Sequence, residues 1–174
     1  MINFLYYQCR FAIPVWLVLL ITSILPDNRY SIRVRGGAVS LFLKGRPKRF
    51  RLGRDVTLLG LNQLKIGSNV YLAKGCWLNA LGGIAIESDV QFGPYVVAVS
   101  TKHTLLAGSV SRGSTIFEPV FIGSGSWVAS HVTISAGSFV PKGSIVGANS
   151  VFNGVFKNPG FYAGCPAKLI KSWS

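Results

Sequence analysis

The sequence predicts an all-β chain, a parallel β-helix of six-residue repeats, with a hydrophobic helix at its N-terminus and a short helix closing its C-terminus. Three observations predict it. From Leu64 onward large apolar residues recur every six positions, and a mostly small residue follows each of them four positions later. The first 25 residues are nearly uncharged and rich in large apolar side chains.

The elements follow in chain order. Residues 11–25 carry no charge, and the apolar character reaches back through Phe4, Leu5, Tyr6 and Tyr7, interrupted by Gln8 and Arg10. A full bilayer crossing needs about 20 apolar residues, so the segment spans only if tilted or in a thinned bilayer. No small-x-small cleavage site follows Leu25, which argues against a removed signal peptide. A membrane-associated anchor and a packing helix remain as readings of residues 1–25. Residues 26–60 form a basic capping region: ten of the 18 Lys and Arg lie between residues 26 and 65, opposed only by Asp27 and Asp55. Such a block beside an apolar anchor favours an anionic membrane surface on the cytoplasmic side.

Residues 61–156 carry the repeat. Ile122, Val128, Ile134, Val140, Val146 and Phe152 are six apart, and Ser126, Val132, Ser138, Ser144, Ser150 and Phe156 follow at an offset of four. Upstream, Ile66, Leu72, Leu78 and Ile84 hold one phase, and a two-residue shift restarts it at Ile86, Phe92 and Ala98. One large and one small inward residue per hexad describes a short strand ending in a tight corner, three to a triangular coil. Gly67, Gly93, Gly123 and Gly147 follow the large residue, where a sharply turning backbone gains from lacking a Cβ. A solenoid needs covered ends. Residues 26–60 cover one; in residues 157–174, after Lys157-Asn158-Pro159-Gly160 breaks the pattern, Ala167–Trp173 reads as a closing amphipathic helix.

Composition narrows the function. With 49% hydrophobic and 13% charged residues, the chain is neither disordered nor a coiled coil. Two His and the wide spacing of Cys9, Cys76 and Cys165 point to no metal site, and an odd cysteine count favours a reducing compartment. The hexad phase fails between Ala98 and Ile122, leaving an excursion over residues 100–119 that opens Ser100-Thr101-Lys102-His103.

Ile66-Gly67-Ser68-Asn69-Val70, Ser100-Thr101-Lys102-His103, the run from Pro119 through Trp127 to Val132, Val146-Gly147-Ala148-Asn149-Ser150-Val151 and Ala163-Gly164-Cys165-Pro166-Ala167-Lys168-Leu169-Ile170-Lys171 together resemble the hexapeptide-repeat acyltransferases, in the galactoside, maltose and polysaccharide O-acetyltransferase branch. The resemblance covers about residues 60–171 and implies a left-handed coil, a homotrimer with active sites in clefts between subunits, and acetyl-CoA as acyl donor with no metal.

The same resemblance assigns residues. His103 matches the catalytic base, and imidazole titrates close enough to neutrality to take a hydroxyl proton as attack on a thioester proceeds. Trp127 falls at the rim of the cleft and Asn79 is the nearest replacement for an acceptor-binding Asn, whose usual position is Ala73. Ser130 and Ala148 match positions lining the pantetheine channel, and Lys168 and Lys171 match basic positions near the coenzyme phosphates. A usual coenzyme-contacting Lys segment is replaced by Asn153-Gly154-Val155-Phe156-Lys157. His131 lies on the outward side of a coil, and Cys76 at an inward small position reads as core. The expectation is an acetyl-CoA-dependent O-acyltransferase acting on a cell-surface saccharide, lipid-linked or growing, at the cytoplasmic face of the inner membrane. The alternatives are acetylation of a soluble sugar or antibiotic and a noncatalytic scaffold. Nucleic acid is disfavoured, because no base-reading module accompanies the basic run Lys44–Arg54.

Overall fold

The structure is a computed structural model describing residues 2–173; the first and last residues of the segments 1–25 and 157–174 fall outside it. It is a parallel β-solenoid with three faces. The first coil holds β1 (Arg51–Leu52) and β2 (Thr57–Leu59), and the second β3 (Leu64–Ile66), β4 (Tyr71–Leu72) and β5 (Trp77–Asn79). The third holds β6 (Ile84–Ile86), β7 (Gln91–Phe92) and β8 (Val97–Val99). A hairpin of β9 (Thr101–His103) and β10 (Thr115–Phe117) leaves the solenoid between the third and fourth coils. The fourth coil holds β11 (Val120–Ile122), β12 (Trp127–Val128) and β13 (Thr133–Ile134), the fifth β14 (Phe139–Val140), β15 (Ile145–Val146) and β16 (Val151–Phe152), and β17 (Gly160–Gly164) and β18 (Ala167–Ser172) close the chain. Sheet 1 orders β14-β11-β6-β3, sheet 2 β1-β4-β7-β12-β15-β17-β18 and sheet 3 β16-β13-β8-β5-β2.

The hexad positions are the core. Both upstream runs and the downstream run from Ile122 to Phe152 are buried, as are Val70, Val90, Val96, Val132 and Cys76 at the small offset. Burial pushes the Cys76 thiol up to about 11, as for a sulfur packed in the core. The inward serines are satisfied between coils: Ser126 Oγ donates to Pro141 O at 2.9 Å, and Ser138 Oγ to Phe152 O at 3.1 Å. Each therefore ties one corner to the next while filling little space.

Three expectations change. The two-residue shift is a longer corner: Leu72 registers with Phe92, twenty residues on, whereas Val128 registers with Val146, eighteen residues on. The same shift conceals the first coil, whose Leu52 and Leu58 are buried hexad positions, so the parallel ladder begins before residue 61. Gly67, Gly93 and Gly123 are needed for a different reason than turning. A Cβ there would lie 2.5, 2.7 and 2.4 Å from a backbone nitrogen of the next coil. The left-handed residue comes later, just before the small inward position, at Asn69 (φ 57°), Asp89 (φ 63°), Tyr95 (φ 58°), His131 (φ 58°) and Asn149 (φ 57°).

The closing segment is a β-hairpin, where the sequence predicts a helix. β17 extends sheet 2 in parallel with β15, and β18 turns back antiparallel onto it. A helix over Ala167–Ser172 would leave the outer edge of β17 without backbone partners, which β18 supplies. Phe156, the one large member of the small series, closes the solenoid interior. It packs against Phe152 and Tyr162 with ring centroids 4.8 and 4.9 Å apart, and no further coil competes for that space.

At the other end, α1 (Ile2–Tyr7), a π-helical turn (Gln8–Ala12) and α2 (Ile13–Thr22) form one long helix, which α3 (Ser31–Ser40) follows. Phe11 and Val15 are buried inward, while Phe4, Tyr6, Trp16, Leu20, Ile21 and Ile24 are exposed. The junction is Arg35, 1% exposed. Its guanidinium donates to Thr22 O at 3.0 Å, Leu52 O at 2.9 Å and Asp27 Oδ1 at 3.0 Å, joining the α2 terminus, α3 and the first coil. Asp27 also accepts the Arg54 N–H at 3.0 Å. Replacing Arg35 by Met would leave the carbonyls of Thr22 and Leu52 without their buried donor, so Arg35→Met is expected to lower stability by about 2–3 kcal/mol in denaturant titration. A loss below about 1 kcal/mol, the scale of an exposed ion pair, would mean the junction is held elsewhere.

Candidate active site

His103 ends β9, one arm of a hairpin leaving the solenoid at the corner between sheets 3 and 1. The hairpin is antiparallel, with Thr101, Lys102 and His103 opposite Phe117, Ile116 and Thr115. It is an insertion at a corner between two complete coils: Ala98 still registers with Ile134. Lys102 Nζ pairs with Glu118 Oε1 at the hairpin base. His103 is exposed, and its Nδ1 lies 3.4 Å from Thr115 Oγ1 across the hairpin. Nε2 is therefore the nitrogen available to another molecule, and Thr115 can hold the ring in the tautomer that leaves Nε2 unprotonated.

Asn79 sits at the root of the same hairpin. Its Nδ2 donates to Thr101 Oγ1 at 3.2 Å, and its Oδ1 accepts the Leu81 N–H at 3.1 Å. Both ends of the amide are thus engaged in holding the corner. Ser100, fully buried, secures the same corner by donating to Asn79 O at 2.7 Å and accepting the Gly82 N–H at 2.8 Å.

The remaining predicted residues gather one sheet away. Ser130 and Ala148 occupy the corner between sheets 2 and 3 on successive coils, joined by Asn149 N–H donating to Ser130 O at 3.1 Å. At Gly147, in that corner, an added Cβ would lie 3.2 Å from the Ala163 methyl, and Ala163 registers with Lys168. Ser130, Ala148 and Lys168 therefore lie on neighbouring turns along one side of the solenoid. Trp127, half exposed, lies on the outer face of sheet 2, in register through Ile145 and Phe161 with Lys171. Among the described residues no hydrogen bond joins this group to His103. His131, on the left-handed corner beside Ser130, stacks on Tyr95 with centroids 5.2 Å apart.

Sequence reasoning misses Thr115 and Thr101, the partners of His103 and Asn79. The pairing that brings Thr115 to His103 is antiparallel and lies outside the repeat, so a search for hexads does not find it.

No family model matches the chain. A protein of Escherichia coli K12 that is named as a lipopolysaccharide biosynthesis O-acetyl transferase is 40% identical over 142 residues, covering 64% of this chain and 72% of the relative. An acetyltransferase of Staphylococcus aureus COL is 30% identical over 108 residues, 62% of this chain and 54% of that protein, so the chain spans about half the length of the staphylococcal relatives. Among solved structures, a maltose O-acetyltransferase from Clostridium difficile 630 superposes with a TM-score of 0.78 at 19% identity, over 92% of this chain and 84% of that one. A hexapeptide-repeat acetyltransferase from Vibrio cholerae O1 biovar eltor, complexed with acetyl-CoA, gives 0.69 at 20% identity over 92% and 86%. At these identities the structural likeness concerns the fold.

The raised Cys76 titration separates core from surface sulfur. At pH 8 the folded protein is expected to expose two thiols to a disulfide reagent, the exposed Cys9 and Cys165, with Cys76 reacting only in denaturant. Three fast-reacting thiols in the folded state would contradict a packed coil at Cys76.

Proposed function

The chain belongs to the hexapeptide-repeat acetyltransferases, and we propose that it moves acetyl from acetyl-CoA to a hydroxyl of a lipid-linked or growing cell-surface saccharide, with His103 as general base. The observation that carries the reading is the 40% identity to the E. coli protein named for lipopolysaccharide O-acetylation. The fold is the one seen in a maltose O-acetyltransferase and in a hexapeptide-repeat acetyltransferase complexed with acetyl-CoA, which suits this reading.

The reaction needs no enzyme nucleophile. His103 Nε2 accepts the acceptor hydroxyl proton as the oxygen attacks the thioester carbonyl, giving a tetrahedral adduct. The adduct expels the coenzyme thiolate, and the imidazolium returns the proton to sulfur, leaving an acetyl ester and free coenzyme. A Thr115 hydroxyl accepting from Nδ1–H leaves Nε2 as the base, which makes Thr115 the positioning residue in this reading. The donor lies along Ser130 and Ala148, with Lys168 and Lys171 as point charges for its phosphates.

His103 and the donor row stand on different corners of one solenoid. A homotrimer with clefts between copies brings the hairpin of one subunit to the donor row of its neighbour, and Trp127 to the rim of that cleft. The exposed apolar face of the Phe4–Thr22 helix, 19 residues long and followed by the basic block, supports a cytoplasmic-face membrane location for the assembly.

The test is thiol release from acetyl-CoA by the full-length protein, with mono-, oligo- and lipid-linked saccharides as acceptors. Turnover is expected with at least one saccharide. His103→Ala is expected to cut kcat about 10²- to 10⁴-fold with coenzyme binding retained. A His103→Ala protein of unchanged kcat would remove the base from the mechanism, and absence of coenzyme binding in the parent protein would remove the enzyme reading.

A further inference from the structure

The N-terminal cap contains a cavity of about 820 Å³, far along the solenoid from Ser130 and Ala148 and lined by Arg33, Arg46, Lys48, Arg49, Arg51 and Asn69 among others. No carboxylate lines it, and none of these five cations is in an ion pair among the described residues. Five uncompensated positive charges around one concavity repel one another, and the fold keeps them there. Gly36 on α3 lies so close to the next element that a Cβ would sit 2.2 Å from Phe50 O, while the neighbouring Gly37 opens onto the cavity with nothing within 4 Å. The loop carrying three of the cations is thereby fixed against α3.

That loop is also held in costly geometry. Arg46 (φ 43°) and Arg49 (φ 54°) both adopt the left-handed region, and Lys48 O accepts the Asn69 N–H at 2.8 Å. Arg51 is fixed by donation to Gln91 Oε1 at 3.3 Å and by lying 5.3 Å over the Tyr71 ring. The cations form a preset arrangement. Apolar side chains stand among them: Leu41 lines the cavity and is exposed, Tyr30 and Val34 are exposed on the same cap, and α3 packs against α2 of the N-terminal helix, whose outer face is exposed.

We propose that this cavity binds a phosphate or diphosphate group, and that the group is carried by a lipid. Arginine forks suit the multiple oxygens of phosphate, and the apolar rim beside the anchor helix suits the chain to which a headgroup is attached. The inference does not depend on acetyl transfer, since it concerns a different part of the chain. Joined to that reading, it gives the lipid phosphate of a membrane-borne acceptor a place to dock while its sugar reaches the solenoid.

The test uses the full-length protein and vesicles of phosphatidylcholine alone, with phosphatidic acid, or with a carboxylate lipid at matched surface charge. Arg46→Gln/Arg49→Gln changes two exposed lining residues; Lys142→Gln/Lys157→Gln removes the same charge at exposed sites outside the cavity. Expected are tighter binding to phosphatidic acid than to the carboxylate lipid, at least tenfold weakening in the cavity variant, and less than twofold change in the control. Inorganic pyrophosphate is expected to compete only weakly. Equal binding to both anionic lipids, or equal losses in both variants, would reduce the cavity to a diffuse basic surface and overturn the proposal. Pyrophosphate binding as tight as the vesicles' would overturn the lipid part and make the ligand a soluble phosphate. Circular dichroism of both variants guards against misfolding, and Arg33→Gln supplies an independent lining variant should the double change unfold.

Discussion

Each coil of this protein leaves one edge of its backbone open, and only the next coil, one hydrogen bond away, satisfies it. One column shows the dependence: Arg51, Tyr71, Gln91 and Trp127 donate in turn to Val70, Val90, Ser126 and Ser144 at 2.9 to 3.0 Å. That stacking sets what each position must be. Large residues fill the interior, serine or valine fits at the small offset, and Gly67, Gly93 and Gly123 stand where the neighbouring backbone comes too near for a Cβ. The ends carry the cost of the open edges. The β17–β18 hairpin and the Phe152, Phe156 and Tyr162 cluster cover one, and α3, pinned by buried Arg35, covers the other.

A regular stack is a rigid frame on which irregularity becomes function. The hairpin from Thr101 to Phe117 is inserted without loss of register between Ala98 and Ile134, so His103 projects from a corner that the frame holds still. Asn79 and Ser100 tighten that corner, and Thr115 Oγ1 lies 3.4 Å from the imidazole Nδ1. The row of Ser130, Ala148 and Lys168, to which the proposal gives the donor, belongs to a different corner. In the proposed homotrimer the separation becomes a virtue, since every cleft receives a base from one copy and a donor groove from the next.

Most of the frame is legible in the sequence because its packing rule repeats. Ile66, Phe92, Val128 and Phe152 are inward for one reason, and six-residue spacing exposes it. What escapes is whatever the repeat does not encode. The first coil is hidden because a two-residue corner throws Leu52 and Leu58 out of phase with Ile66. The closing hairpin reads as a helix because the apolar content of Ala167–Trp173 says nothing about the unpaired edge of β17. Arg35 looks like one more charge in a basic run; only the fold shows that it is buried while Arg33, Arg46 and Arg49 face solvent. In the site, a motif reveals His103, whereas Thr115, a cross-strand partner twelve residues on, has no motif of its own.

In the mechanism proposed for this protein, the His103 hairpin and the Ser130–Ala148–Lys168 row serve one reaction. A crystal structure of the full-length protein with coenzyme A bound tests that most directly. Pantetheine is expected along Ser130 and Ala148, and the His103 imidazole of an adjoining subunit close to the sulfur, with room for an acceptor oxygen about 3–3.5 Å from the thioester carbon. Coenzyme bound elsewhere, or a sulfur with no His103 near it from any subunit, would contradict it.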